Sequence, residues 1–182
     1  MSKSRKQLYN ITATAIMMAL SIVLTRFLPI INTDTMRVTF GNIPIILLGF
    51  LVSPFYGGIC GAASDLLGCI LFPQQINPWI LAANLLLGFL PAFLYSVFSA
   101  KLRKQKHFVA FVIIGSIIIS HILASVFLKS YGIGKMYGPS VLAQIYLRIP
   151  TCTISMIIDS ASVYLLYNRL SKISIFKKGK NN

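Results

Sequence analysis

The chain is a succession of apolar runs broken by short polar and basic segments, and that pattern fixes the solvent in which it folds. Six such stretches fill most of its 182 residues. Most approach or exceed the roughly 20 apolar residues that cross the hydrocarbon of a bilayer as a helix. A helix is the form such a run takes there, because lipid offers no partner to an exposed backbone N–H or C=O. Charged residues make up only 11% of the chain, against about a quarter in a soluble domain. A water-soluble fold of this length cannot hide so much apolar side chain, and no stretch is left over for a second globular unit. The expectation is an all-α integral membrane protein, a single transmembrane domain over residues 1–182.

The breaks between runs place the helices. The first is expected at 8–28 and ends near Pro29. It follows a basic segment but is too long for a signal-peptide core, and no small-x-small cleavage site follows it, so it reads as a retained span. A polar segment, 32–42, leads to a short second helix at 43–52. Ser53-Pro54 and Gly57-Gly58 mark a tight connection to a third at 55–72. A turn at 73–77 precedes the fourth helix, 78–100. A basic loop, 101–106, precedes the fifth, 107–128. A Gly-rich loop is expected at 129–139, and a sixth helix at 140–170 is long enough to imply tilt or an interfacial end.

Charge sets the orientation. The chain carries 17 Lys and Arg against 3 acidic residues, all Asp, for a net charge of +14. Such a balance can point to nucleic acid. Here the cations sit in short tails and loops between apolar spans, so they read as topology signals and contacts to anionic lipid, with no nucleic-acid partner. With both termini in the cytoplasm, twelve of the 17 fall inside: Lys3, Arg5, Lys6, Lys101, Arg103, Lys104, Lys106, Arg169, Lys172, Lys177, Lys178 and Lys180. Six transmembrane helices satisfy this; five would put one basic tail outside. The remaining cations, Arg26, Arg37, Lys129, Lys135 and Arg148, lie at or near the opposite face.

Those five cations are the chief functional clue. Arg26 and Arg148 can simply snorkel to the outer headgroups. Alternatively the five share an anionic pocket, since Arg pairs a carboxylate bidentately and each charge-assisted bond contributes about 1.5–3 kcal/mol. Asp34 lies in the first external loop. Asp65 and Asp159 lie within spans, where a carboxylate is either functional or held by Arg, Ser, Thr or Asn. Phe40, Phe72, Gln74, Gln75, Asn77, Trp79, Asn84, Tyr131 and Tyr137 gather near the same side. They form either an interfacial aromatic belt or a surface that stacks a flat heterocycle and reads its edge with amides. Asn84 stands out, a turn or more inside its helix.

Small residues and absent motifs narrow the classes. Ala15-Ile-Met-Met-Ala19 is a small-xxx-small pair on the first helix, and Gly57, Gly58, Gly61 and Gly68 give the third a similar close-packing face. Cys60, Cys69 and Cys152 lie in apolar runs without metal-ligand spacing and read as small buried hydrophobes. His121, within the fifth helix, reads as a packed histidine. There is no GxxxxGK[ST] loop, HExxH or GxSxG, and with no Glu and only two His, acid–base machinery is thin. Neither a metal nor an enzymatic role is expected.

Arg37-Val-Thr-Phe40-Gly41-Asn-Ile-Pro44, the short run to Ser53-Pro54, Gly57-Gly58, Ala62-Ala-Ser-Asp65-Leu-Leu-Gly68 and Leu71-Phe72-Pro73 together resemble the substrate-binding S components of energy-coupling factor (ECF) transporters, most of all their folate-specific branch. The chain departs from that pattern at Gln74-Gln75-Ile76-Asn77-Pro78-Trp79, where the family often has a Gly- and Pro-containing stretch. The resemblance implies a cell-membrane vitamin-binding subunit. It would dock through Ala15 and Ala19 of the first helix onto a transmembrane coupling protein (T component) carrying two cytoplasmic ATPases. ATP is then bound by those partners, and the chain needs no cofactor of its own. Residues 31–41 would act as a lid carrying Arg37. Arg26, Arg37, Phe40, Asp65, Gln75, Trp79, Asn84, Lys129, Tyr131 and Arg148 are the expected ligand contacts. A folate would offer a pterin to stack and two carboxylates for cations such as Arg26 and Arg148. Three alternatives stay open: an S component for another carboxylate vitamin such as pantothenate, a small membrane enzyme acting on lipid headgroups, and a purely structural membrane subunit.

Overall fold

The apolar runs become helices that pack on one another through glycine. In a computed structural model, residues 3–32, 37–72, 74–101, 106–138 and 140–170 are described. The elements are α1 (Lys3–Arg26), β1 (Pro29–Asn32), β2 (Arg37–Thr39), α2 (Asn42–Leu51), α3 (Pro54–Leu71), α4 (Pro78–Lys101), α5 (Lys106–Ser120), a π-helical stretch (His121–Leu128), α6 (Lys129–Tyr137) and α7 (Val141–Leu170). Among the described residues, five helical stretches are long and apolar enough to cross a membrane: Ser4–Arg26, Pro54–Leu71, Pro78–Ser99, Val109–Met136 and Val141–Leu170. The sixth passage belongs to α2, which at 10 residues reaches only about 15 Å. The protein is therefore a multi-pass helical membrane protein.

The short helix α2 is the most enclosed. Every residue from Ile43 to Phe50 is buried, as expected of a helix that is apolar all round. Ile46, Leu47 and Phe50 meet Leu87 of α4, Ile113 and Ile117 of α5, and Val163 and Tyr167 of α7 in one core cluster. Close approach is by backbone. A Cβ placed on Gly57 of α3 would stand 2.5 Å from the Gly88 carbonyl of α4 and 2.7 Å from Gly49 Cα of α2. A Cβ on Gly88 would collide with the Gly57 carbonyl in turn. In lipid, where apolar side chains gain nothing by leaving their solvent, such contacts are a main source of helix association. Gly88→Ala is accordingly expected to cost about 1–3 kcal/mol by overpacking. Gly115→Ala, with nothing within 4 Å of its added Cβ, should leave the thermal unfolding midpoint in detergent unchanged. Equal midpoints for the two variants would remove the glycine contact from this account.

Two sequence expectations need correction. The polar segment at 32–42 is not simply a loop: β1 and β2 form an antiparallel pair with Ile31 opposite Val38, Asn32 opposite Arg37, and an irregularity between Pro29 and Ile31. Val38 is completely buried, and the hairpin packs on α1 and α7. Its exit is pinned where the Ser21 hydroxyl donates to the Gly41 carbonyl at 2.8 Å. The approach is tight, because a Cβ at Gly41 would overlap the Thr25 hydroxyl and force that side chain to move. Thus α2 starts beside Ser21, five residues or about 7.5 Å short of the end of α1. Non-helical backbone is tolerable at such depth because it is buried within protein.

The second correction concerns 129–139, expected to be a loop. The fifth passage runs on from α5 through the π-helical stretch into α6 and stops at Gly138, whose φ of +82° is the left-handed conformation glycine supplies at helix ends. The π-helical stretch follows Ser116 and Ser120, whose hydroxyls donate back to the Ile113 and Ser116 carbonyls at 2.8 and 2.7 Å. Such back-bonding loosens a helix, and π-helical turns gather at functional sites. The starts of α4 and α7 are capped: Asn77 Oδ1 accepts the Trp79 N–H at 2.9 Å, and Ser140 Oγ accepts the Ala143 N–H at 3.3 Å.

Candidate functional site

Helical periodicity brings a set of polar side chains to one cavity of about 40 Å³ inside the bundle. From the fifth passage come His121, Ser125 and Lys129, every fourth residue down one face. From α7 come Arg148, Thr151, Cys152 and Ser155, spaced i, i+3, i+4 and i+7. Asn42, the first residue of α2, closes the ring. No purely apolar side chain lines it, and two of its members are cations. The thiol of Cys152 is therefore not only core filling.

Asp159, one further turn down α7, lies behind this wall and is wholly buried. Its Oδ2 accepts a hydrogen bond from Asn42 Nδ2 at 3.1 Å and stands 3.0 Å from His121 Nε2, a close contact without linear alignment. His121 is 1% exposed, so it is packed as expected, but it also faces the cavity. Among the described residues, Asp159 Oδ1, His121 Nδ1 and Arg148 Nε are buried without a hydrogen-bond partner. A buried polar group left unpaired costs about 1–3 kcal/mol, so this wall holds hydrogen-bonding capacity that a polar ligand can take up.

A second group of charges adjoins the first. Asp65 of α3 is half-buried, accepts a hydrogen bond from Asn84 of α4, and feels the charges of both Lys129 and Arg26. Arg26 is half-buried at the end of α1. Its guanidinium donates to Gln74 Oε1 at 2.5 Å, reaches Cys69 Sγ at 3.9 Å and lies 5.6 Å from the Phe72 ring centroid, a cation–π contact. Of the expected ligand contacts, the fold thus links Arg26, Asp65, Asn84, Lys129 and Arg148 through the bundle interior, with only Lys129 and Arg148 on the cavity.

The remaining expected contacts fall elsewhere. Trp79 and Tyr131 meet edge to face with centroids 4.9 Å apart, and Lys135 lies 5.6 Å over the Tyr131 ring. Asn77 Nδ2 donates to the Gly132 carbonyl at 2.8 Å, tying α4 to α6 at the same level. This aromatic pair is not part of the cavity lining. Phe40 and Gln75 are exposed and do not line it either. Arg37 belongs to β2 by its backbone; its side chain, that of Tyr137, and Asp34 lie outside the described residues. Ala15 and Ala19 are exposed on α1. Sequence reasoning did not select Asn42, His121, Ser125, Thr151, Ser155 or Asp159 as contacts. The signal that finds them is the polar stripe of α7, where 148, 151, 152, 155 and 159 share one helical face.

Comparison with known proteins points the same way. The family model described as ECF transporter, substrate-specific component, matches residues 9–167. The folate transporter FolT of Clostridium novyi (strain NT) is 29% identical over 164 residues, covering 90% of this chain and 91% of that one. Among solved structures, FolT bound with folic acid superposes with a TM-score of 0.73 at 24% identity, over 87% of this chain and 92% of that one. The S component for biotin from an ECF-type ABC transporter superposes with a TM-score of 0.71 at 20% identity, over 98% of each chain. An S component for biotin and a folic-acid-bound FolT share this fold, so the fold alone does not choose the ligand.

Proposed function

The chain belongs to the family of ECF transporter substrate-specific components, and from that premise we propose that it binds a folate-type vitamin at the Lys129–Arg148 cavity. It is a transporter component, not an enzyme. The observation that carries the ligand reading is the pairing of Lys129 and Arg148 on one polar cavity, a match for carboxylate, alongside the similarity to a folate transporter. The cavity as it stands, at about 40 Å³, is far below the roughly 300–1,000 Å³ of a cofactor-sized site. Binding therefore requires neighbouring segments to part, and the hairpin over the start of α2 is the element whose movement would open it. In this reading the cavity is loaded from outside the cell membrane. The subunit then docks through Ala15 and Ala19 onto a T component with two ATPases, which supply the energy.

Equilibrium binding to the purified protein tests the ligand. Submicromolar binding of folic acid with no binding of pantothenate, which has one carboxylate and no flat ring, is the expected outcome. Binding of pantothenate alone would replace the folate reading by the other carboxylate vitamin.

A further inference from the structure

We propose that Asp159 is a positioning residue that fastens the exit of the hairpin to the wall of the ligand cavity, so that one buried carboxylate serves both. The inference rests on that cavity being the ligand site.

The geometry is specific. Asn42 begins α2 and follows β2 by only Phe40 and Gly41, so whatever holds Asn42 holds the end of the hairpin. From the α1 side the hold is the Ser21 hydroxyl on the Gly41 carbonyl; from the α7 side it is Asp159 Oδ2 on the Asn42 amide. The same oxygen stands against His121, and both Asn42 and His121 face the cavity beside Lys129 and Arg148. A carboxylate with no exposure is costly to bury unless its hydrogen bonds and counter-charges are in place. Here one oxygen is committed and the other, Oδ1, is unpartnered among the described residues. A ligand that hydrogen-bonds Asn42 or His121 steadies the same pair that Asp159 grips, and loss of Asp159 frees both from behind. The consequence is kinetic: without Asp159 the hairpin exit keeps its packing on α7 but only the hydrogen bond from α1, and a bound ligand escapes faster.

Hydrogen exchange on the full chain in detergent, without ligand, tests the fastening directly. Asp159→Leu is expected to raise exchange of the amides at 37–43 about tenfold while leaving α4 and α5 unchanged, and Asp159→Asn, which keeps an acceptor of the same shape, should restore most of the protection. Asn42→Ala removes the same bond without touching the buried carboxylate, so it decides the matter should the leucine variant fail to fold. Unchanged exchange at 37–43, or an equal rise through every helix, overturns the proposal. With folic acid as probe, Asn42→Ala and Asp159→Leu should speed dissociation with association unchanged, and a change in association alone also overturns it. If the unaltered protein does not bind folic acid, the folate reading fails by that result, while the exchange measurement still decides the role of Asp159.

Discussion

Arg148→Met is expected to weaken folic acid binding at least about 100-fold while leaving the unliganded protein as stable as before, or more so. The loss follows from the chemistry of the contact: two charge-assisted hydrogen bonds to a carboxylate contribute about 3–6 kcal/mol together, and each 1.4 kcal/mol is tenfold in affinity. The stability follows from the neighbours. Lys129 shares the cavity with Arg148, so two like charges face each other inside the bundle, and Arg148 Nε has no partner there among the described residues. Methionine keeps much of the apolar stem and removes the repulsion, while Lys129 remains to balance Asp65 and Asp159. Arg148→Lys should fall between, because an ammonium cannot form the forked pair a guanidinium makes. Titration with folic acid and thermal unfolding in detergent read the two quantities separately. A site kept for function at some expense of stability loses binding and gains, or holds, stability. Loss of both would make Arg148 a structural cation and remove the carboxylate reading.

The parts of this molecule that sequence shows are those governed by local rules. The membrane spans follow from apolar length, and the α3 glycines were legible as a packing face because lipid favours backbone contact; Gly57 and Gly61 do meet α4. Interior cations stood out because charge inside a span is rare. What could not be read depends on tertiary context. Gly132 and Gly134 lower helix propensity, so Lys129–Tyr137 looked like a loop. Yet Gly132 packs so closely on Trp79 that a Cβ would come within 2.7 Å, and that contact, with the Asn77 hydrogen bond, holds the helix. The hairpin escaped notice because its strands are only four and three residues long. His121 and Asp159, set far apart along the chain, gave no sign that each was the other's neighbour. The amides and aromatics that cluster in sequence near one face separate in space, Asn84 to Asp65 and Trp79 to Tyr131, because they lie on different sides of α4.

Replacing Ala15 and Ala19 together with tryptophan is expected to abolish vitamin uptake by the assembled transporter and to leave vitamin binding by the isolated subunit unaltered. The separation of the two effects follows from where α1 sits. It packs against α2, α3 and β1, and only 11% of its apolar span is buried inside the protein. Leu8, Ile11, Ile16, Leu20 and Val23 are exposed along it, and Ala15 and Ala19 leave a shallow gap among these larger side chains. A neighbouring helix can approach closely at such a gap, where van der Waals contact replaces the hydrophobic drive that lipid removes. Indole rings fill the gap without harm to a lipid-facing surface, so the subunit alone should fold normally. The cavity is built from α2, the fifth passage and α7, with no residue of α1 in its lining, so tryptophans at 15 and 19 do not reach it. Uptake that survives the double replacement would place the docking face elsewhere. Binding that fell in step with uptake would instead mean that α1 supports the ligand site through Arg26 and Ser21, and that its bare stripe faces only lipid.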